Sequence, residues 1–158
     1  MILKASQFIP SAYHGAWRSM REWEHDEYSF EGGRGSAKTT VAANRGVDVV
    51  MRGMDGNFVC YKKHKTEIEA SVYSEIYKVI ERRNWCDLFR FKTSPFEIMR
   101  RDTGQKIFFQ GLDDPGKSKG ITARRGYIQG AWFEEADQFS SVNCKQNETP
   151  RRKFFRGT

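Results

Sequence analysis

The clearest hydrophobic pattern in the chain lies between Thr66 and Arg83. Ile68, Val72, Ile76, Val79 and Ile80 fall on one face at helical spacing, and Thr66 and Glu69 supply a T-x-x-E capping box at the start. A second run, Val41, Ala42, Val47, Val49 and Val50, predicts a helix that opens near Lys38 and frays around Gly46 or Gly53. An interior glycine costs a helix about 1 kcal/mol against alanine. Strands are predicted where apolar residues alternate or run together between turn signals. Tyr28-Ser29-Phe30 leads into the glycine-rich Gly32-Gly33. Phe58–Tyr61 follows the Asp55-Gly56-Asn57 turn and reads as a buried strand. Phe89–Phe91 and Phe96–Met99 are short strands, and Lys106–Gln110 pairs back as a hairpin after Asp102-Thr103-Gly104. Residues 111–126 read as a polar loop. Tyr127–Phe133 is a largely apolar strand that ends in two acids, Glu134 and Glu135. Strands alternating with helices, one of them opening at a glycine turn, predict an α/β sheet with parallel members. The last 19 residues hold one aliphatic side chain, Val142, so little there is expected to pack.

Composition narrows the possibilities without choosing among them. A chain of 158 residues with 38% hydrophobic residues suffices for one domain with a core. No apolar run approaches the length of a membrane span, and the N-terminus lacks a signal-peptide pattern, so a cytoplasmic location is expected. Cys60, Cys86 and Cys144 form no CxxC pair, which argues against a disulfide framework or a zinc site. His14, His25 and His64 are isolated and read as ordinary surface or half-buried residues. The net charge of +7 suits an anionic partner such as nucleic acid.

The chemistry is concentrated in two places. Gly32-Gly33-Arg34-Gly35-Ser36-Ala37-Lys38-Thr39 matches the phosphate-loop pattern G-x-x-x-x-G-K-[ST], with Ala37 where glycine is usual. Such a turn aims backbone N–H groups and a helix N-terminus at an anion. Lys38 is expected to reach the β- and γ-phosphates of ATP, and the Thr39 hydroxyl to sit on Mg²⁺, with Thr40 completing the nucleotide-binding set. Arg34 faces either the γ-phosphate or a protein carboxylate. A left-handed backbone costs a residue with a Cβ roughly 1 kcal/mol or more, so a negative φ is expected at Ala37. A positive φ there would count against the loop. The bland alternative is a glycine turn at a helix cap that binds nothing.

Glu134 and Glu135 close a buried strand about a hundred residues downstream. Neighbours on a strand point to opposite sides, so Glu134 is assigned to the Mg²⁺ shell and Glu135 to the role of catalytic base. An acidic start to a helix is the competing explanation.

Together these segments resemble the large terminase subunit of tailed bacteriophages. Phe30–Thr39 resembles that family's Walker A segment, and Val59–Lys63 with the Ser71-Val72-Tyr73 helix resembles its second strand and helix. Residues 106–114 and 117–120 resemble a further family stretch, and Trp132–Ala136 resembles its Walker B. The resemblance covers about residues 8–139. It implies a P-loop NTPase fold of ASCE-like type, a mostly parallel sheet flanked by helices with an added β-hairpin; whether the sheet is complete is left open. It also implies an ATP hydrolase that packages double-stranded DNA into a procapsid. The implied partners are the portal protein, the small terminase subunit and other copies of the motor. The implied location is the host bacterial cytoplasm and, transiently, the procapsid portal, with no membrane. Arg34 matches an arginine proposed in this family to act on the γ-phosphate. Nothing after Phe139 resembles the family's coupling motif or its acidic nuclease domain, so no nuclease activity is expected of these residues. Residues 1–139 are therefore read as a partial ATPase domain, and 140–158 as a basic, poorly ordered tail, truncated or frameshifted. Two other readings stand: a different P-loop motor such as a helicase, and a fragment that binds nucleotide or DNA without turnover. Basic clusters at 62–65, 82–83, 100–101, 117–119 and 124–125 are candidate DNA contacts, or else solvated faces.

Overall fold

The computed structural model describes residues 4–33, 35–113, 121, 123–135 and 153–157. Among them, seven strands form one sheet in the order β1-β7-β6-β2-β5-β4-β3. They are β1 (Glu27–Phe30), β2 (Gly56–Lys62), β3 (Phe89–Thr93), β4 (Phe96–Arg100), β5 (Lys106–Gly111), β6 (Tyr127–Glu134) and β7 (Lys153–Gly157). The first five in spatial order, from β1 across to β5, run parallel, and β4 and β3 add an antiparallel hairpin at one side. The helices are α1 (His14–Glu22), α2 (Lys38–Arg52) and α3 (Ser74–Arg82).

The helices cover one face. Trp17 and Met20 of α1, Val47 and Val50 of α2, and Ile76 and Ile80 of α3 bury against Phe58, Cys60, Ile107 and Trp132 of the sheet. Val59, Tyr61, Ala131 and Phe133 make a smaller cluster on the other face, joined by Ile128. Tyr61 and Phe133 stack there, ring centres 4.7 Å apart. Strict alternation would put Ile128 opposite Ala131 and Phe133. The pairing slips between Asn57 and Phe58, which leaves Gln129 as an extra residue and returns Ile128 to the same face.

All five apolar residues of the Thr66–Arg83 pattern are buried, at 4% exposure or less. The helix they share is not uniform. A 3₁₀ turn at Lys65–Glu67 and a π turn at Glu69–Tyr73 precede α3, and neither start carries a side-chain cap, so the expected capping box does not form. Helix α2 runs through Gly46 without fraying and ends before Gly53. A Cβ at Gly46 would lie 2.9 Å from two ring carbons of the buried Phe58, so the glycine lets α2 sit close to β2. The two effects of Gly46→Ala oppose each other. Helix propensity gains about 1 kcal/mol, whereas overpacking a closed core costs about 1–3 kcal/mol. The variant is expected to lose about 1 kcal/mol net, read as a lower urea midpoint at an unchanged slope.

Asn57 pins the end of the sheet farthest from the glycine loop. Its Nδ2 donates to the carbonyls of Arg125 and Tyr127 at 2.7 and 3.2 Å, and its Oδ1 accepts from the Lys106 N–H at 2.7 Å.

The largest departure from the sequence reading is β7. Residues 153–157, within the stretch expected to pack poorly, lie between β1 and β6 and pair in parallel with both. A strand between two strands draws its stability from their backbone groups, so its own composition need not announce it.

Candidate functional site

All five parallel strands end at one edge of the sheet, where α/β proteins place their ligands. Phe30, Gly157 and Glu134 share a register row there, and Lys62 ends β2 alongside. The glycine loop therefore leaves β1 on one side of β7, and the two acids leave β6 on the other.

Gly32 and Gly35 take φ of 144° and 83°, conformations that glycine adopts freely. The Ser36 N–H donates to the Gly33 carbonyl at 3.3 Å, closing the turn. Ala37, expected at negative φ, has φ 61° and ψ 14° and serves as the N-cap of α2. That expectation is wrong, and so is the criterion built on it. The left-handed angle leaves the first helical turn intact, with the Val41 N–H on the Ala37 carbonyl at 3.0 Å. It also leaves Lys38 and Thr39 facing the cleft. The loop's geometry outweighs a local cost of about 1–2 kcal/mol. Ala37→Gly removes that cost, although it adds freedom to the unfolded chain, worth roughly 0.5–1 kcal/mol the other way. A net gain of up to about 1 kcal/mol is expected, read as a rise in melting temperature of the nucleotide-free protein.

The decisive contact joins the two halves. Thr39 Oγ1 donates to Glu134 Oε1 at 3.0 Å across 95 residues of sequence. Burial pushes the Glu134 carboxyl above its ordinary pKa, and the Thr39 hydrogen bond and the Lys62 charge pull against that shift. Two hard oxygen donors side by side at a helix N-terminus fit Mg²⁺. Lys38 Nζ donates back to the Gly32 carbonyl.

Glu135 follows the strand in a left-handed turn, φ 53°. Among the described residues, four non-glycines have positive φ, and two of them, Ala37 and Glu135, flank this cleft. Strain of this kind concentrates at functional sites. The Glu135 carboxylate is held by Lys62, whose side chain is 6% exposed and also reaches Glu67 at 3.4 Å. Burial alone would lower the Lys62 pKa, but the two carboxylates outweigh it and leave the ammonium above its usual value. The basic run at 62–65 gave no hint of this: Lys62 is a buried ion-pair partner, whereas Lys63 and Lys65 are exposed.

The cleft measures about 450 Å³ and is lined by Gly32, Gly33, Gly35–Thr40, Glu134 and Glu135, together with Glu75 of α3. Glu75 went unremarked in the sequence; it bonds Lys78 at 2.6 Å, an ordinary helix-surface pair that conceals its position. Ser36 Oγ is buried with no partner among the described residues. Arg34 lies outside the described residues, as do residues 117–119.

Other candidates have structural duties. Arg83 stacks over Phe8 and Trp85. Arg100 donates to the carbonyls of Val50 and Met51, and Arg101 to that of Phe89. Lys63 and Lys65 are exposed just past the end of β2, and Arg124 and Arg125 are exposed at the opposite end of the sheet. His14 bonds the Ile9 carbonyl at 2.8 Å, and burial pushes the Cys60 thiol well up, away from reactivity. No group of three or more His, Cys, Asp or Glu side chains placed to hold a metal ion occurs among the described residues, and no helix there is long and apolar enough to cross a membrane.

A glycine loop feeding a helix, with Lys-Thr at its start and a half-buried strand-end carboxylate bonded to the threonine, defines a P-loop protein of the α/β class. The family profile described as "Phage terminase large subunit" matches residues 24–153, and the chain belongs to that family. The large terminase subunit of Bacillus phage SPP1 is 30% identical over 125 residues, which is 79% of this chain and 29% of that protein. The chain thus spans about three tenths of the relative's length. Among solved structures, the large terminase of a thermophilic bacteriophage in complex with ATP-gamma-S superposes with a TM-score of 0.69 at 16% identity, over 93% of this chain and 37% of that one. The HK97 bacteriophage large terminase gives 0.58 at 11% identity, over 100% and 33%. Both likenesses bear out the α/β fold read from the sequence.

Proposed function

We propose that this chain is the ATP-hydrolysing portion of a phage motor that drives double-stranded DNA into a procapsid. The observation that carries the reading is the Thr39–Glu134 hydrogen bond, which brings the loop helix and the acid-bearing strand together at one cleft. Family membership supports it, and the related protein of the thermophilic bacteriophage is known in complex with ADP and with ATP-gamma-S.

The backbone N–H groups of the loop and the N-terminus of α2 would hold the phosphates. Lys38, now on the Gly32 carbonyl, would turn to the β- and γ-phosphate oxygens. Thr39 and Glu134 would hold Mg²⁺, which when bound neutralises charge on those oxygens. Glu135 would take the proton of the attacking water once released from Lys62. Arg34 is proposed to act on the γ-phosphate. Double-stranded DNA, the portal protein, the small terminase subunit and further copies of the chain are the proposed partners, in the host cytoplasm and transiently at the portal. Lys63 and Lys65 are better placed than Arg100 or Arg101 to meet DNA phosphates, because they are exposed just past the end of β2, whereas the guanidinium groups of Arg100 and Arg101 already bond backbone carbonyls.

The test is equilibrium binding of Mg-ATP, followed by hydrolysis, for the chain and for Lys38→Ala. The reading requires binding that Lys38→Ala abolishes. Binding without turnover would favour a nucleotide-binding fragment, and no binding at millimolar Mg-ATP would sink the proposal.

A further inference from the structure

We propose that Tyr13 is a positioning residue for the phosphate loop, locking the peptide that presents Ala37. The inference rests on the reading of the loop as a triphosphate site. Tyr13 ends the 3₁₀ turn Ser11–Tyr13 that runs into α1. Helix α1 is anchored by Trp17 and Met20, 5% and 0% exposed, so the Tyr13 backbone is fixed from below. The side chain touches the loop region at two points. Its ring packs edge-on against Phe30, the last residue of β1, with centres 5.7 Å apart at 68°. Its hydroxyl donates to the Ser36 carbonyl at 2.6 Å.

The second contact has a chemical consequence. The Ser36 carbonyl and the Ala37 N–H belong to one planar trans peptide and point in opposite directions. Holding the carbonyl on Tyr13 therefore aims the Ala37 N–H away from Tyr13, toward the cleft that Ala37 lines. That N–H becomes a preset donor for a phosphate oxygen. The lock matters more here than in a loop with glycine at this position. Ala37 sits at φ 61°, where alanine is strained, and an unheld peptide would relax toward negative φ and turn its N–H out of line. Tyr13 thus compensates for the alanine.

The experiment measures Mg-ATP affinity by equilibrium titration for the wild-type chain, Tyr13→Phe, Ala37→Gly, the double variant and Lys38→Ala. Thermal melts of the nucleotide-free proteins are taken alongside. Tyr13→Phe keeps the ring and removes only the hydroxyl. It should weaken binding by roughly 3- to 10-fold, the worth of one partly buried hydrogen bond. The loss should be smaller in the Ala37→Gly background, where the left-handed angle is free, and this non-additivity is the signature of the lock. Affinity unchanged by Tyr13→Phe, or an equal loss in both backgrounds, would overturn it. So would a fall in melting temperature large enough to explain the weaker binding, which would assign Tyr13 to the fold instead. Lys38→Ala separates the two claims. If it binds as well as wild type, the triphosphate reading fails; if it does not bind and Tyr13→Phe does so normally, only the lock fails.

Discussion

Glu135→Gln is expected to lower ATP turnover by about 10²–10⁴-fold while Mg-ATP still binds. The substitution keeps the size and shape of the side chain and removes its ability to accept a proton. Glu134 and Thr39 stay as they are, so the oxygen pair proposed for Mg²⁺ is preserved. The fold should tolerate the change. Lys62 loses one carboxylate and keeps the other, Glu67, at 3.4 Å. The check is single-turnover hydrolysis beside equilibrium nucleotide binding. Turnover within a few-fold of wild type would remove Glu135 from the role of base and direct attention to another group in the cleft, Glu75 among them. Lost binding would instead mean that Glu135 helps to hold the nucleotide.

Phe155→Pro should be strongly damaging to the sheet. Residue 155 stands opposite Tyr28 on one side and Trp132 on the other, in the middle of a strand flanked by two parallel neighbours. Proline removes a ladder donor and does not fit a central strand, at a cost of about 3 kcal/mol or more. That is a large part of the roughly 5–15 kcal/mol that holds a typical domain together. The effect should also be directional. Strands β6, β2 and β5 pair without β7, whereas β1 pairs only with β7 among the described strands. Hydrogen exchange should show the amides of β1 opening before those of β2, and Mg-ATP affinity should fall with β1. Equal protection of β1 in the variant and the wild type would show that β7 does not hold the loop's strand in place.

The elements that sequence reading found are those with a local signature. Ile68 to Ile80 repeat at helical spacing because one face of α3 and of the turns before it is buried, and Phe58–Tyr61 run together because β2 is covered on both faces. The phosphate loop was legible because the anion it suits demands particular residues in a fixed order. What was missed has non-local causes. The strand β7 is built from basic and aromatic residues, and only its pairing with Glu27–Phe30 and Gly130–Glu134 makes it a strand. Lys62 looks like any lysine in a basic run until Glu135 arrives from 73 residues away. Ala37 was misjudged because the steric cost of one residue was weighed without the loop around it. Arg100 and Arg101 were candidate DNA contacts on charge alone, yet their guanidinium groups satisfy carbonyls of α2 and β3. The hydroxyl of Tyr13 was invisible because its partner is a backbone carbonyl, which no residue identity reveals.

The placing of β7 bears on how such a chain comes off the ribosome. Synthesis delivers the loop by residue 39 and both acids by residue 135, so a nascent chain carries every reactive group of the cleft early. It cannot bring them into register, because the strand that spaces β1 from β6 is made of residues 153–157. Until those residues emerge, the nascent chain can form the β2, β5 and β6 part of the sheet, but β1 lacks the one neighbour it pairs with among the described strands. Competence to bind nucleotide should therefore arrive in one step, once residues 153–157 have emerged, rather than growing with chain length.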